Sequence, residues 1–172
     1  SIVPLVSTVN NDVTAWATGE HVTEDGAGFT GTVTSANINT LRYAASNGST
    51  FTVSPTGALN IATGTILVTP LVDTGLARIQ GGTFSSATSE LLVIQESTRP
   101  LEISSVISGN HAVGKSGTGT LVLTGNNNYT DETDIHQGTL AVGGGNGIGD
   151  TSLVTLAANT NSTLQLINNE TI

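Results

Sequence analysis

Three carboxylates fall within four positions at Asp131, Glu132 and Asp134. With Asp131 and Glu132 in a turn and Asp134 facing outward, their oxygens are the chain's weak candidates for a hard cation such as Ca²⁺, which takes about six to eight oxygen ligands. An exposed acidic turn accounts for the same residues without a metal, so no metal site is assigned. His21, His111 and His136 lie far apart, and none has the close spacing of a zinc-ligating pair. Surface turn or strand positions account for them.

Catalytic arrangements fare no better. β-Helical enzymes that cut acidic polysaccharides gather carboxylates and basic residues on one exposed sheet, for acid/base chemistry and for substrate charge. Here the four basic residues, Arg42, Arg78, Arg99 and Lys115, are scattered, and no Asp or Glu pair recurs at coil spacing. Gly114-Lys115-Ser116-Gly117 lacks the upstream glycine of a phosphate-binding loop. Gly143-Gly144-Gly145-Asn146-Gly147-Ile148-Gly149-Asp150 has the look of a calcium-binding nonapeptide, yet it occurs once and lacks the aspartate at the sixth place; a flexible inter-strand turn is the better reading. Asn47, Asn128, Asn161 and Asn169 begin Asn-x-Ser/Thr triplets, which matter only in a glycosylating host. No catalytic residue and no cofactor are assigned, and the expectation is that the chain is not an enzyme.

The elements that would carry these residues are strands. Leu121 and Leu123, Ile135, then Leu140 and Val142 sit at alternate positions, the period of a strand with one buried face. The same alternation recurs at Leu59 and Ile61, Ile66 and Val68, Ala77 and Ile79, Leu91 and Val93, and Leu101 and Ile103. Gly, Thr, Asn and Ser interrupt every candidate helix. Such strands could make a sandwich or a solenoid. The solenoid is favoured by the repeating Gly57-Ala58-Leu59-Asn60-Ile61, Gly119-Thr120-Leu121-Val122-Leu123 and Gly138-Thr139-Leu140-Ala141-Val142, which can stack in register. If a coil takes roughly 20 to 25 residues and adds about 4.8 Å along the axis, the chain holds about seven or eight coils in a rod roughly 35 to 40 Å long. Residues 1–35, with Trp16, Phe29 and the acidic Glu20, Glu24 and Asp25, are less regular and read as a first coil or N-terminal edge. Residues 36–172 read as the solenoid proper. Trp16 reads as packing over an apolar surface.

The run Lys115-Ser116-Gly117-Thr118-Gly119-Thr120-Leu121-Val122-Leu123-Thr124-Gly125-Asn126-Asn127-Asn128-Tyr129-Thr130, followed by Gly138-Thr139-Leu140-Ala141-Val142-Gly143, resembles the autotransporter-associated β-strand repeat of bacterial surface proteins. The best-matched stretch is 114–143, and weaker likeness extends over about three quarters of the chain. The resemblance implies an all-β fold, a right-handed parallel β-helix exported through the outer membrane and displayed at the cell surface or shed outside the cell. It implies no particular activity, because passengers with this repeat serve as adhesins, stalks, biofilm components or carriers of other modules. Asp131-Glu132-Thr133-Asp134 departs from the small residues usual at that place.

Composition agrees with an extracellular β-rich surface. Charged residues make up 10% of the chain and aromatic residues 3%, so solubility rests on hydroxyls and amides, and the core must be thin and aliphatic. The net charge of -9 argues against nucleic acid and against anionic membranes. No apolar run is long enough to span a bilayer as a helix, and with no cysteine there is no disulfide or thiolate metal site. Ser1 opens no signal peptide, and Leu164–Ile172 ends without a polar cap, as expected of an excised or processed piece. The expected role is a non-catalytic stalk, adhesin scaffold or fibre subunit. Its partners would be a second copy end to end, or host and matrix glycans contacted through outward Thr, Ser and Asn rows. A polysaccharide-degrading β-helix and a calcium-dependent adhesion module are the alternatives.

Overall fold

The computed structural model describes residues 8–149, 152–158, 160–168 and 170. Asn169, Asp150 and the ends 1–7 and 171–172, on which some of the sequence expectations fall, lie outside the described residues. The chain is a parallel β-solenoid, as the alternation predicts. The helical piece among the described residues is a single 3-10 turn at Val13–Ala15, capped by the Asp12 carboxylate, which accepts from the Thr14 N–H at 3.0 Å.

Strands stack into three parallel ladders around one core. The first joins β1 (Thr8–Val9), β2 (His21–Thr23), the ends of β3 (Thr32–Tyr43) and β4 (Thr50–Val68), then β7 (Glu90–Gln95), β10 (Ala112–Ser116), β12 (Thr133–Ile135) and β14 (Val154–Leu156). The second joins the start of β4 to β5 (Ala77–Gln80), β8 (Leu101–Ile103), β11 (Thr120–Leu123), β13 (Gly138–Val142) and β15 (Ser162–Leu166). The third joins the middles of β3 and β4 to β6 (Thr83–Ser86) and β9 (Val106–Ile107). β3 and β4 run round all three sides, and the register shifts between Val33 and Ser35 and between Ile38 and Thr40 mark their corners.

Because pleating sends alternate side chains inward, each ladder lines the core with columns of like residues. Phe51, Ile79, Ile103, Leu123, Val142 and Leu166 form one; Ala77, Leu101, Leu121, Leu140 and Leu164 form another. Members between the ends are fully buried, and each aliphatic side chain so buried stabilises the fold by about 1.5–3 kcal/mol. In the last described rungs, Leu156 and Leu166 are 45% and 48% exposed.

The coil count is lower than the sequence suggests. Val22, Leu41, Ile66, Val93, Lys115, Ile135 and Leu156 stack in register at intervals of about 19 to 27 residues. They delimit about six turns rather than seven or eight. The central turns are longer than average, and residues 8–20 contribute an end layer instead of a full coil.

Aromatic residues collect beneath that end layer. Trp16 packs edge-on to Phe29 and Phe51 with ring centroids 5.4 and 5.2 Å away, and Phe29 meets Tyr43 at 5.2 Å. Edge-to-face pairs add about 0.5–1.5 kcal/mol each beyond the area they bury. Glycine is required where turns of adjacent coils touch. A Cβ at Gly75 would fall on the Asn47 carbonyl, and at Gly138, with φ +73°, it would meet the Gly117 and Gly119 carbonyls and the Lys115 ammonium.

Candidate functional site

The acidic residues sit in a turn and on the strand that follows it. Asp131 and Glu132 are exposed in the turn before β12, and Asp131 accepts from the Glu132 N–H at 3.0 Å. Asp134 points outward from β12, because its neighbours Thr133 and Ile135 are buried. Among the described residues, no three His, Asp or Glu side chains converge as a metal site.

Histidines occupy two kinds of place. His21 and His136 lie on the outside: His21 Nδ1 is 3.0 Å from Thr40 Oγ1, and His136 Nε2 is 3.9 Å from Glu90 Oε1. His111 corrects the expectation of a surface position. It is 1% exposed and stacked on Tyr129 at 6.3 Å, with Nδ1 3.0 Å from the Ala112 carbonyl and Nε2 3.1 Å from that of Ser108. The Gly109-Asn110 turn, with Gly109 at φ +127°, folds the ring inward at a place where strand alternation gives no sign.

Several polar side chains that the sequence left unassigned are structural pins. Lys115 occupies an inward position in the column between Val93 and Ile135, and its ammonium donates to the carbonyls of Ser116, Gly117 and Gln137 at 2.7, 2.8 and 3.0 Å. Burial pushes its pKa down to about 8, against a smaller opposing pull from the Glu96 carboxylate. Asn127, also buried, accepts from the Ile107 N–H at 2.8 Å and donates to the Gly147 carbonyl at 2.8 Å, tying the coils on either side of its own. The glycine-rich loop is held as well. The Glu170 carboxylate accepts from the N–H groups of Gly145 and Gly147 at 2.7 and 3.1 Å.

Glu24, just after β2, is a buried carboxylate near that end of the solenoid. It accepts from the Ser49 hydroxyl and, at 3.4 Å, from the Ala45 N–H. Burial raises its pKa more than these hydrogen bonds lower it. The folded state therefore binds this proton more readily than the unfolded chain, so stability from this group grows as pH falls and is missing at neutrality. Glu24→Gln, a mimic of the protonated acid, is expected to raise the melting temperature at pH 7 by about 1–3 °C. Calorimetry should show that gain closing near pH 4, where the wild-type carboxyl is itself protonated.

Outward polar rows are present on two ladders. Asn60 Nδ2 donates to Asn37 Oδ1 at 2.9 Å, and Ser85 Oγ donates to Asn60 Oδ1 at 3.2 Å, a ladder running across three coils. On the second ladder, Gln80 Nε2 donates to Thr52 Oγ1 at 3.0 Å and Arg78 pairs with Glu102 at 2.6 Å.

With inward columns and outward amide rows in place, the comparisons with known proteins are decisive. The passenger-associated transport repeat family matches residues 114–142, the stretch from β10 to β13 that contains Lys115, Asn127 and Gly138. The chain belongs to the autotransporter passenger-repeat family. It is 34% identical over 142 residues to the adhesin BmaC autotransporter of Brucella suis biovar 1 (strain 1330), covering 77% of this chain. The chain spans 4% of the length of that relative. No solved structure matches it. In this passenger-repeat segment the conspicuous polar residues of the repeat serve stacking: the lysine and the asparagine satisfy backbone groups of neighbouring coils, and the glycine lets those coils approach.

Proposed function

We propose that this chain is a rigid, non-catalytic segment of an adhesin displayed at the cell surface or released outside the cell. In this role the solenoid holds adhesive surface at a distance from the membrane. The observation that carries the reading is the unbroken parallel register from β2 to β14, in which every coil is hydrogen-bonded to the coil before and after it. The likeness to an adhesin autotransporter supports the surface role. A non-catalytic role is supported by the use of the buried carboxylates Glu24 and Glu170 in holding loops, and of Glu102 in pairing with Arg78. Host or matrix glycans suit the outward amide and hydroxyl rows, where many weak contacts would sum.

Two assays on the purified segment test this together. Small-angle scattering should give a rigid particle about 29 Å along the solenoid axis, six coils at about 4.8 Å each, and beads coated with the segment should adhere to extracellular matrix without releasing reducing ends from a polysaccharide panel. Release of reducing ends would overturn the non-catalytic reading, and a flexible, expanded particle would overturn the rigid segment.

A further inference from the structure

The outer face of the first ladder changes character at β10. Val113 and Lys115 fill the inward positions of that rung, while the outward ones, Ala112, Gly114 and Ser116, are all small. The rungs on either side carry larger side chains. Glu90, Leu92 and Ile94 stand opposite the small residues on β7, and Asp134 projects from β12 with His136 just after it. With rungs about 4.8 Å apart, the result is a trough along the strand direction whose walls are about 9.6 Å apart. It lies in mid-solenoid, between the described rungs β4 on one side and β14 on the other.

Two kinds of chemistry meet in the trough. A Cβ at Gly114 would fall on Glu90 Oε1 and come within 3.1 Å of Leu92 Cδ1, so a carboxylate and a methyl group lean side by side over the glycine. Leu92 and Ile94 are partly exposed, and Leu67 extends their apolar wall by one rung onto β4. Asp134 faces Leu92 across Gly114. Among the described residues, neither the Glu90 nor the Asp134 carboxylate accepts a hydrogen bond, and their one ion pair is the 3.9 Å approach of Glu90 to His136. Glu24, Glu102 and Glu170 are, by contrast, all held by donors. The chain's own cations are placed elsewhere: Lys115 turns its ammonium inward, and Arg42 lies two rungs beyond β7.

An apolar wall facing unpaired carboxylates fits a lysine or arginine side chain. Its methylenes can pack on Leu92 and Ile94 while its charged head reaches Glu90 and Asp134. The trough is too narrow for a helix, about 10–12 Å across with its side chains, and open enough for an extended chain. We infer that this trough is a docking site for an extended, basic segment of a protein partner. The inference rests on the adhesin reading for the existence of a partner outside the cell, and it names that partner's chemistry at one face. A few half-exposed ion pairs over one apolar contact bind weakly, with Kd on the order of 0.1–1 mM, and display of many copies multiplies that.

The probe is a fluorescein-labelled peptide of alternating lysine and valine, kept extended by its β-branched residues. It is titrated with the segment at low salt, beside the same peptide with glutamate in place of lysine. Saturable binding is expected for the basic peptide alone, and it should weaken several-fold at high salt as the ion pairs are screened. The double change Glu90→Gln with Asp134→Asn removes both unpaired carboxylates, and Ser116→Lys places a competing cation in the trough. Each should weaken binding at least about tenfold, or about 1.4 kcal/mol. Asp25→Asn with Asp73→Asn removes the same charge from exposed positions elsewhere and should leave binding nearly unchanged. Melting temperatures measured alongside show that the variants fold. Backbone amide NMR shifts should move on β7, β10 and β12 with the basic peptide and not with Ca²⁺ alone. Absence of binding, equal binding of the acidic peptide, or shifts there with Ca²⁺ instead of peptide would each overturn the proposal. So would equal losses in the two double variants, which would mean that the net charge of -9 alone attracts the peptide. A segment that ignores the peptide while its beads still adhere to matrix removes the trough and leaves the adhesin reading intact. Peptide binding by a segment whose beads do not adhere overturns the adhesin reading instead.

Discussion

Asn127→Ala is expected to lower the free energy of unfolding by about 2–6 kcal/mol, a loss comparable to truncating a core aromatic. The alanine leaves the Ile107 N–H and the Gly147 carbonyl, both bonded to the asparagine side chain, without partners inside the protein. Each orphaned buried group costs about 1–3 kcal/mol. The backbone of Asn127 remains bonded to the Asn146 carbonyl at 2.9 Å, so the turn itself has no reason to unwind, and the loss belongs to the side chain. Asn127→Asp separates the two halves of the bond pair. Its carboxylate still accepts from Ile107 but faces the Gly147 carbonyl with another acceptor, and it is a buried charge at neutral pH. The aspartate variant should therefore be at least as damaged as the alanine at pH 7 and recover part of its stability near pH 4, where protonation restores a donor. Denaturant unfolding of the three proteins at the two pH values measures this. Equal losses at both pH values would mean that the Gly147 bond contributes nothing.

The columns and the asparagine differ in how readily sequence reveals them. Leu121, Leu123, Leu140 and Val142 announce a buried face through period-two alternation, and the structure places them in columns of the second ladder. Alternation is a property of one strand and survives without knowledge of its neighbours. The count of turns was less legible, because turn length varies with the loops at the corners, and loops carry no periodic signal. The partners of the polar pins were illegible for a related reason. Asn127, the middle of three adjacent asparagines, is in phase with the buried Leu121, Leu123 and Tyr129, but the groups it bonds, at Ile107 and Gly147, are set by the stacking of the coils. Glu170 is likewise defined by the N–H groups of a loop some two dozen residues earlier. Asp131, Glu132 and Asp134, conspicuous in sequence, end in a turn and on an outward strand face without converging.

Lys115→Met is expected to destabilise the segment by about 2–4 kcal/mol at pH 7, and by more as the pH rises. Methionine fills nearly the same volume in the column between Val93 and Ile135, so the change tests the ammonium and not the packing. Without it, the Ser116, Gly117 and Gln137 carbonyls lose a shared donor at a corner where Gly138 already brings the coils into contact. The pH dependence follows from the lysine's lowered pKa, about 8 in the folded protein against an ordinary 10.5. Between those values the unfolded chain holds a proton that the folded protein has released, so wild-type stability gains with rising pH. The gain is on the order of 1–3 kcal/mol; the lower end applies if the three carbonyls, which favour the charged form, offset part of the burial. Burial also raises the pKa of Tyr43 and Tyr129, which costs both proteins stability at high pH. The difference between wild type and variant cancels that cost. Chemical unfolding of the pair at pH 7, 8.5 and 10 should show the gap widening. A gap that stays constant would mean that hydrogen bonding to the ammonium fully compensates its removal from water, and that the lysine is held charged within the core of the solenoid.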